Sequence, residues 1–150
     1  MEVGDICQRT VLCCEKEATA QDAAKLMRHN HVGDLVVTVT QADGVRIPLG
    51  MITDRDLVLE VLAQEVDPMG VCVGELIGPV LGTATEDEGV YEVLSRMWEF
   101  GVRRMPVINR QGGLVGIITV DDVIAHLSEQ LTAVNRITSV QQQQESVARR

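Results

Sequence analysis

The sequence predicts an α/β protein made of two β-α-β-β-α units that bury the faces of their small sheets against each other. Two observations predict it. First, the chain repeats itself. Val3-Gly-Asp-Ile recurs as Val73-Gly-Glu-Leu, and the same offset pairs Met27 with Met97, Val32 with Val102 and Val37 with Val107. Further on the offset shortens, and Gly50-Met-Ile-Thr-Asp-Arg-Asp matches Gly116-Ile-Ile-Thr-Val-Asp-Asp. Second, the change of offset falls in one connection. The first copy has Gln41-Ala-Asp-Gly-Val-Arg-Ile-Pro where the second has Asn109-Arg-Gln-Gly-Gly. Copies of one fold differ in loops, which tolerate insertions.

Each copy opens with an extended lead-in, which runs through Thr83-Ala-Thr in the second. A helix follows. Val90, Val93, Leu94 and Met97 stand at helical spacing, and Ala20, Ala23, Ala24 and Met27 form the same face with smaller residues. Two strands come next, Leu35 to Thr40 and Leu49 to Ile52, matched by Met105 to Ile108 and Leu114 to Ile118. A second helix closes the unit, with Leu57, Val58, Val61 and Leu62, or Val123, Ile124, Leu127 and Leu131. One unit buries a single sheet face, so two units need each other. Gln64 to Gly70, with Asp67-Pro68, reads as the linker. Leu127, Leu131, Val134 and Ile137 extend the last helix as an apolar stripe, before a polar end expected to fray.

Composition removes several function classes. The 150 residues are 45% hydrophobic and 23% charged, which is globular rather than disordered. Aromatics are 2%, so the core is aliphatic and a stacking platform for single-stranded nucleic acid is not expected. A net charge of −9 repels polyanions, so neither nucleic acid nor an anionic membrane is an expected partner. No secretory signal and no membrane-spanning run stands in the sequence, and the expected compartment is the cytoplasm. Cys7, Cys13, Cys14 and Cys72 form no CxxC, so they read as reduced small hydrophobes and no metal is expected. His29, His31 and His126 stand in no nucleophile motif, so no catalytic residue is assigned, and His29 and His31 flank a helix end where a cap suits them.

The repeated motif carries the chemistry. Thr53 with Asp56, and Thr119 with Asp122, have the spacing of a capping box and could do no more than start two helices. They also stand at strand-to-helix junctions, where free helix N–H groups can meet an anion. A carboxylate there can accept from both hydroxyls of a ribose. Arg55 opposes the macrodipole in the first turn, an unfavourable choice unless it serves a phosphate or pairs with Asp54 or another acid.

These residues resemble a tandem pair of cystathionine-β-synthase (CBS) domains, a Bateman module, similar to the short stand-alone bacterial members. The resemblance rests on Gly50–Asp56 and Gly116–Asp122, on Gly101-Val-Arg-Arg-Met-Pro-Val, and on the lead-ins Gly4-Asp-Ile and Gly74-Glu-Leu. It implies CBS repeats at 1–64 and 73–131, a linker at 65–72 and a C-terminal helical extension and polar tail at 132–150. It implies two pseudo-symmetric repeats packed through their sheets, a homodimer, and clefts for an adenosine ligand such as AMP, ADP, ATP, NAD or S-adenosylmethionine. Asp56 and Asp122 would hold the ribose, and Thr53 and Thr119 would lie beside it. Cys13 to Glu15, Thr83 to Thr85, Val32 to Leu35 (Gly33 included) and Val102 to Met105 would line the base pocket. Arg55, Arg103 or Arg104 would stand near the phosphates. No cofactor is required, the nucleotide being a regulatory ligand, and the protein target is unknown.

Repeat 1 departs from repeat 2: Gly33-Asp-Leu-Val-Val stands where Arg103-Arg-Met-Pro-Val is found. Asp34 replaces a basic residue, so the two clefts should differ, with Asp34 weakening phosphate binding. The Arg103-Arg104 pair could also be a solvated surface pair. The competing reading is an interaction or scaffold module whose clefts stay empty.

Overall fold

The computed structural model describes residues 1–78 and 82–149. Each repeat is a three-stranded sheet with helices on one face. In repeat 1, β1 (Cys13–Glu15) lies parallel to β2 (Asp34–Thr40), which is antiparallel to β3 (Arg46–Thr53). In repeat 2, β4 (Ala84–Thr85), β5 (Arg104–Ile108) and β6 (Leu114–Thr119) repeat that order. The register slips at the same place in both, between Val37 and Thr38 and between Val107 and Ile108.

Helices α2 (Ala20–Asn30) and α5 (Val90–Phe100) connect the parallel strands. Ala23 and Met27 face the repeat 1 core beside Leu35, Val37 and Ile52; Val93 and Met97 face the repeat 2 core beside Met105, Val107 and Ile118. Val36 and Pro106 point to the opposite faces of their strands. Both are buried, and β3 meets β6 between the repeats. The sheets therefore pack on each other as the sequence predicts. His31 ends α2 in the left-handed region at φ 55°, and Gly101 ends α5 at φ 66°. Burial, with help from Cys13 and Glu15, pushes the Cys14 thiol up to about 11, so it packs as a protonated group.

The lead-ins exchange partners. One-turn helices α1 (Val3–Ile6) and α4 (Val73–Leu76) precede the repeats. Val3 is fully buried in the repeat 2 core and Val73 in the repeat 1 core. The backbone bonds are matched: Val3 N–H donates to Glu88 O at 2.9 Å, and Val73 N–H donates to Ala18 O at 2.8 Å. Neither repeat completes its core without the other's lead-in.

The closing helices differ. In repeat 2, α6 (Val120–Ala148) runs unbroken beyond the stripe and through the tail expected to fray; Arg150 lies outside the described residues. In repeat 1, α3 (Asp54–Leu57) passes into a π-helical turn at Val58–Leu62, where Ala63 N–H donates to Val58 O at 2.9 Å. Among the described residues, no helix is long and apolar enough to cross a membrane.

Candidate functional site

β3 and β6 each end by delivering a threonine to a helix start. The Thr53 and Thr119 hydroxyls accept the N–H of Asp56 and Asp122, both at 3.1 Å. Oδ2 of each aspartate accepts the threonine N–H in return, both at 2.9 Å. These are complete capping boxes, worth about 1 kcal/mol each to their helices. The cap leaves Oδ1 of each aspartate outside it. Gln8 Nε2 donates to Asp122 Oδ1 at 2.8 Å.

Gln8 belongs to the segment between α1 and β1, which crosses onto repeat 2. Its N–H donates to Ile117 O at 2.8 Å and its carbonyl accepts from Ile117 N–H at 2.9 Å. Gly116 makes that approach possible, since a Cβ there would stand 2.7 Å from Gln8 O. Beside this crossing lies an open cleft of about 350 Å³ between the repeats. Thr10, Val11 and Leu12 of the crossing segment form one wall, and Val32, Gly33 and Asp34 form another. Ile117, Thr119, Asp121, Asp122 and Arg104 complete it.

The structure thus gathers Thr119, Asp122, Arg104, Val32 and Gly33 in one cleft. Thr53, Arg55 and Asp56 occupy the equivalent edge of repeat 1, at the end of β3 and the start of α3. Arg55 forms no ion pair among the described residues; Asp54 instead accepts the Arg55 backbone N–H at 2.8 Å. Met105 is fully buried in the repeat 2 core, so its side chain does not line the cleft. Thr83 offers its carbonyl to Arg96 Nη1 at 2.6 Å. Thr85 pairs with Ile108, at the far end of β5 from Arg104 and roughly 13 Å away at the usual strand rise.

Two of the three arginines expected near phosphates are engaged. The Arg104 guanidinium pairs with the Asp34 carboxylate across the two repeats, and Arg103 Nη2 lies 3.4 Å from Asp121 Oδ1. Asp34 is therefore not a bare acid aimed at a ligand: its side chain is 18% exposed and its charge is met by Arg104. Sequence reasoning missed Gln8 and Asp121. Asp121 stood inside the motif, whereas the position equivalent to Gln8 is Gly78, so self-similarity carried no signal for it.

Comparison with known proteins names the family. The CBS domain profile matches residues 3–63 and 73–129. The chain belongs to the CBS domain family. Hypoxic response protein 1 of Mycobacterium tuberculosis is 37% identical over 125 residues, 83% of this chain and 84% of that one. A structure of that CBS protein, described with two coordinated zinc ions, superposes with a TM-score of 0.72 at 34% identity over 84% of this chain and 98% of the other. Among the described residues of the present chain, no three His, Cys, Asp or Glu side chains are grouped to hold a metal. The uncharacterized protein MK0525 of Methanopyrus kandleri is 33% identical over 124 residues; the match spans 83% of this chain and 61% of that protein. The CBS domain pair of protein MJ0100, solved with 5′-methylthioadenosine and S-adenosyl-L-methionine, has a TM-score of 0.70 at 24% identity and covers 87% of this chain and 98% of that one.

Proposed function

We propose that this CBS pair is a regulatory module, not an enzyme, that binds an adenosine-containing ligand in the cleft at Asp122 and signals to a separate protein. One observation carries the reading: the capping box engages Oδ2 of Asp122 and leaves Oδ1 to face a cleft of about 350 Å³, within the usual range of roughly 300–1,000 Å³ for small-molecule sites. There, among the described residues, Oδ1 holds only an exchangeable Gln8 amide, which a ribose hydroxyl can replace. Asp56 would do the same at the equivalent edge. A second copy of the chain is placed over the exposed Val58, Leu59 and Leu62 of repeat 1 and Ile124, Leu127 and Leu131 of repeat 2, giving a homodimer.

The complete capping boxes favour a second reading, in which Thr53–Asp56 and Thr119–Asp122 serve only their helices and the module is a scaffold. Thermal unfolding with a panel of adenosine compounds separates the two. A ligand at 100 times its dissociation constant adds about 2.7 kcal/mol, which raises the Tm by roughly 5–10 °C in a domain of this size. Asp122→Ala should lower the unliganded Tm and also shrink the ligand-induced rise. No rise with any compound at millimolar concentration removes the ligand reading and leaves the scaffold.

A further inference from the structure

We infer that the cleft at Asp122 selects adenosine compounds whose 5′ substituent is uncharged or cationic over nucleoside phosphates. This rests on the cleft being an adenosine site, and it specifies which end of the ligand the walls accept.

The charges of the walls decide it. Among the described residues, three carboxylates, Asp34, Asp121 and Asp122, face the cleft with a single guanidinium, Arg104. That guanidinium is already matched by Asp34, whose side chain is mostly buried, so the pair offers a phosphate no free positive charge. Arg103, outside the cleft wall, leans on Asp121. Separating either arginine from its carboxylate to receive a phosphate would leave that carboxylate beside the new anion. The net field of the chain, at −9, adds to the repulsion.

The start of α6 does not compensate. Val120 N–H donates to Arg103 O at 2.9 Å and Asp122 N–H to Thr119 Oγ1 at 3.1 Å, so two first-turn donors are engaged within the protein. Asp121 and Asp122 already supply the negative charge that the positive end of the macrodipole favours. A phosphate would compete with both. A thioether or a sulfonium needs none of those donors, and a sulfonium or amine gains from the carboxylates. Repeat 1 differs at this point: Arg55 occupies the position equivalent to Asp121. The discrimination therefore belongs to the Asp122 cleft and turns on one side chain at the helix start.

The experiment is a calorimetric titration of the full chain with adenosine, 5′-methylthioadenosine, S-adenosylmethionine, AMP and ATP at low and moderate ionic strength. Compounds without phosphate should bind the Asp122 cleft about tenfold or more tighter than AMP or ATP, with the gap narrowing as salt screens the walls. Occupancy is assigned by Asp122→Ala and Asp56→Ala. A nucleotide lost on Asp56→Ala but kept on Asp122→Ala sits in the other cleft and agrees with the inference. Asp121→Asn should narrow the gap, and Asp121→Arg, which copies the side chain of Arg55, should close or reverse it. Asp121 is exposed, so both variants should still unfold in one cooperative transition, with Asp121→Arg melting slightly lower because its charge opposes the macrodipole, and that transition certifies their folding. AMP or ATP binding more tightly than adenosine in a manner that Asp122→Ala abolishes overturns the charge selection and leaves the adenosine site standing. Failure of every compound to bind overturns the site itself and the selection with it.

Discussion

Adding one methyl group to Gly116 tests how the exchanged lead-in builds the cleft. The Cβ of Gly116→Ala would lie 2.7 Å from the Gln8 carbonyl oxygen and 3.1 Å from Cys7 Sγ. Carbon and oxygen ordinarily approach to about 3.3 Å, so the backbone at Gln8 must retreat by roughly 0.6 Å. That retreat stretches both bonds between Gln8 and Ile117, now 2.8 and 2.9 Å, beyond good geometry. Overpacking of this kind costs about 1–3 kcal/mol, and each weakened backbone bond forfeits up to about 1 kcal/mol. The stiffer unfolded chain returns about 0.4–1 kcal/mol. A net loss of about 2–3 kcal/mol is expected, or roughly 5–10 °C in Tm. Gly50→Ala is the matched control in the other repeat. The described atoms nearest its Cβ belong to the Ile77 side chain, at 3.0 and 3.1 Å, and a side chain can turn where a backbone carbonyl cannot. Its loss should stay below about 1.5 kcal/mol. Urea unfolding followed by circular dichroism measures both. If Gly116→Ala unfolds at the wild-type midpoint, or if Gly50→Ala loses more, the proposed contact between lead-in and β6 is wrong.

Two further outcomes follow from local geometry. His31 holds a left-handed conformation that disfavours side chains by about 1–2 kcal/mol, so His31→Gly should stabilise by about 1 kcal/mol; Gly101→Ala, whose Cβ meets no atom of the described residues within 4 Å, should destabilise by a similar amount through the backbone. Shifts of the same sign in urea midpoint would refute the pair. Burial raises the Glu88 carboxyl, but Arg96, the Thr85 N–H and the Arg96 charge bring it below its ordinary value. The stability this gives is full above the unfolded value of about 4.3 and is lost as pH falls through the lower folded value. Glu88→Gln should therefore lose about 1–3 kcal/mol at neutral pH and converge on the wild type in acid; a gap independent of pH would refute the ion pair's role.

The repeat, the order of elements and the two capping boxes are all legible in the sequence. Their causes are local: apolar residues recurring at helical or strand spacing, and a threonine three residues before an aspartate. The offsets even identify Leu35, Val37 and Ile52 with Met105, Val107 and Ile118 as equivalent core positions. The six residues Leu57–Leu62 could not reveal the π turn, because over so short a run the two helical periods place the same side chains on one face. Who touches whom was also hidden. Self-similarity says that Asp34 and Arg104 are equivalent, not that they meet and neutralise each other between the repeats. It says that Val3 and Val73 are equivalent, not that each completes the other repeat's core. Gln8 reaches Asp122 across 114 positions of sequence, and no spacing rule spans that distance. Local hydrogen bonding and periodicity chose the elements. The burial of two half-sheets against each other chose the pairings, and with them the charge of the cleft.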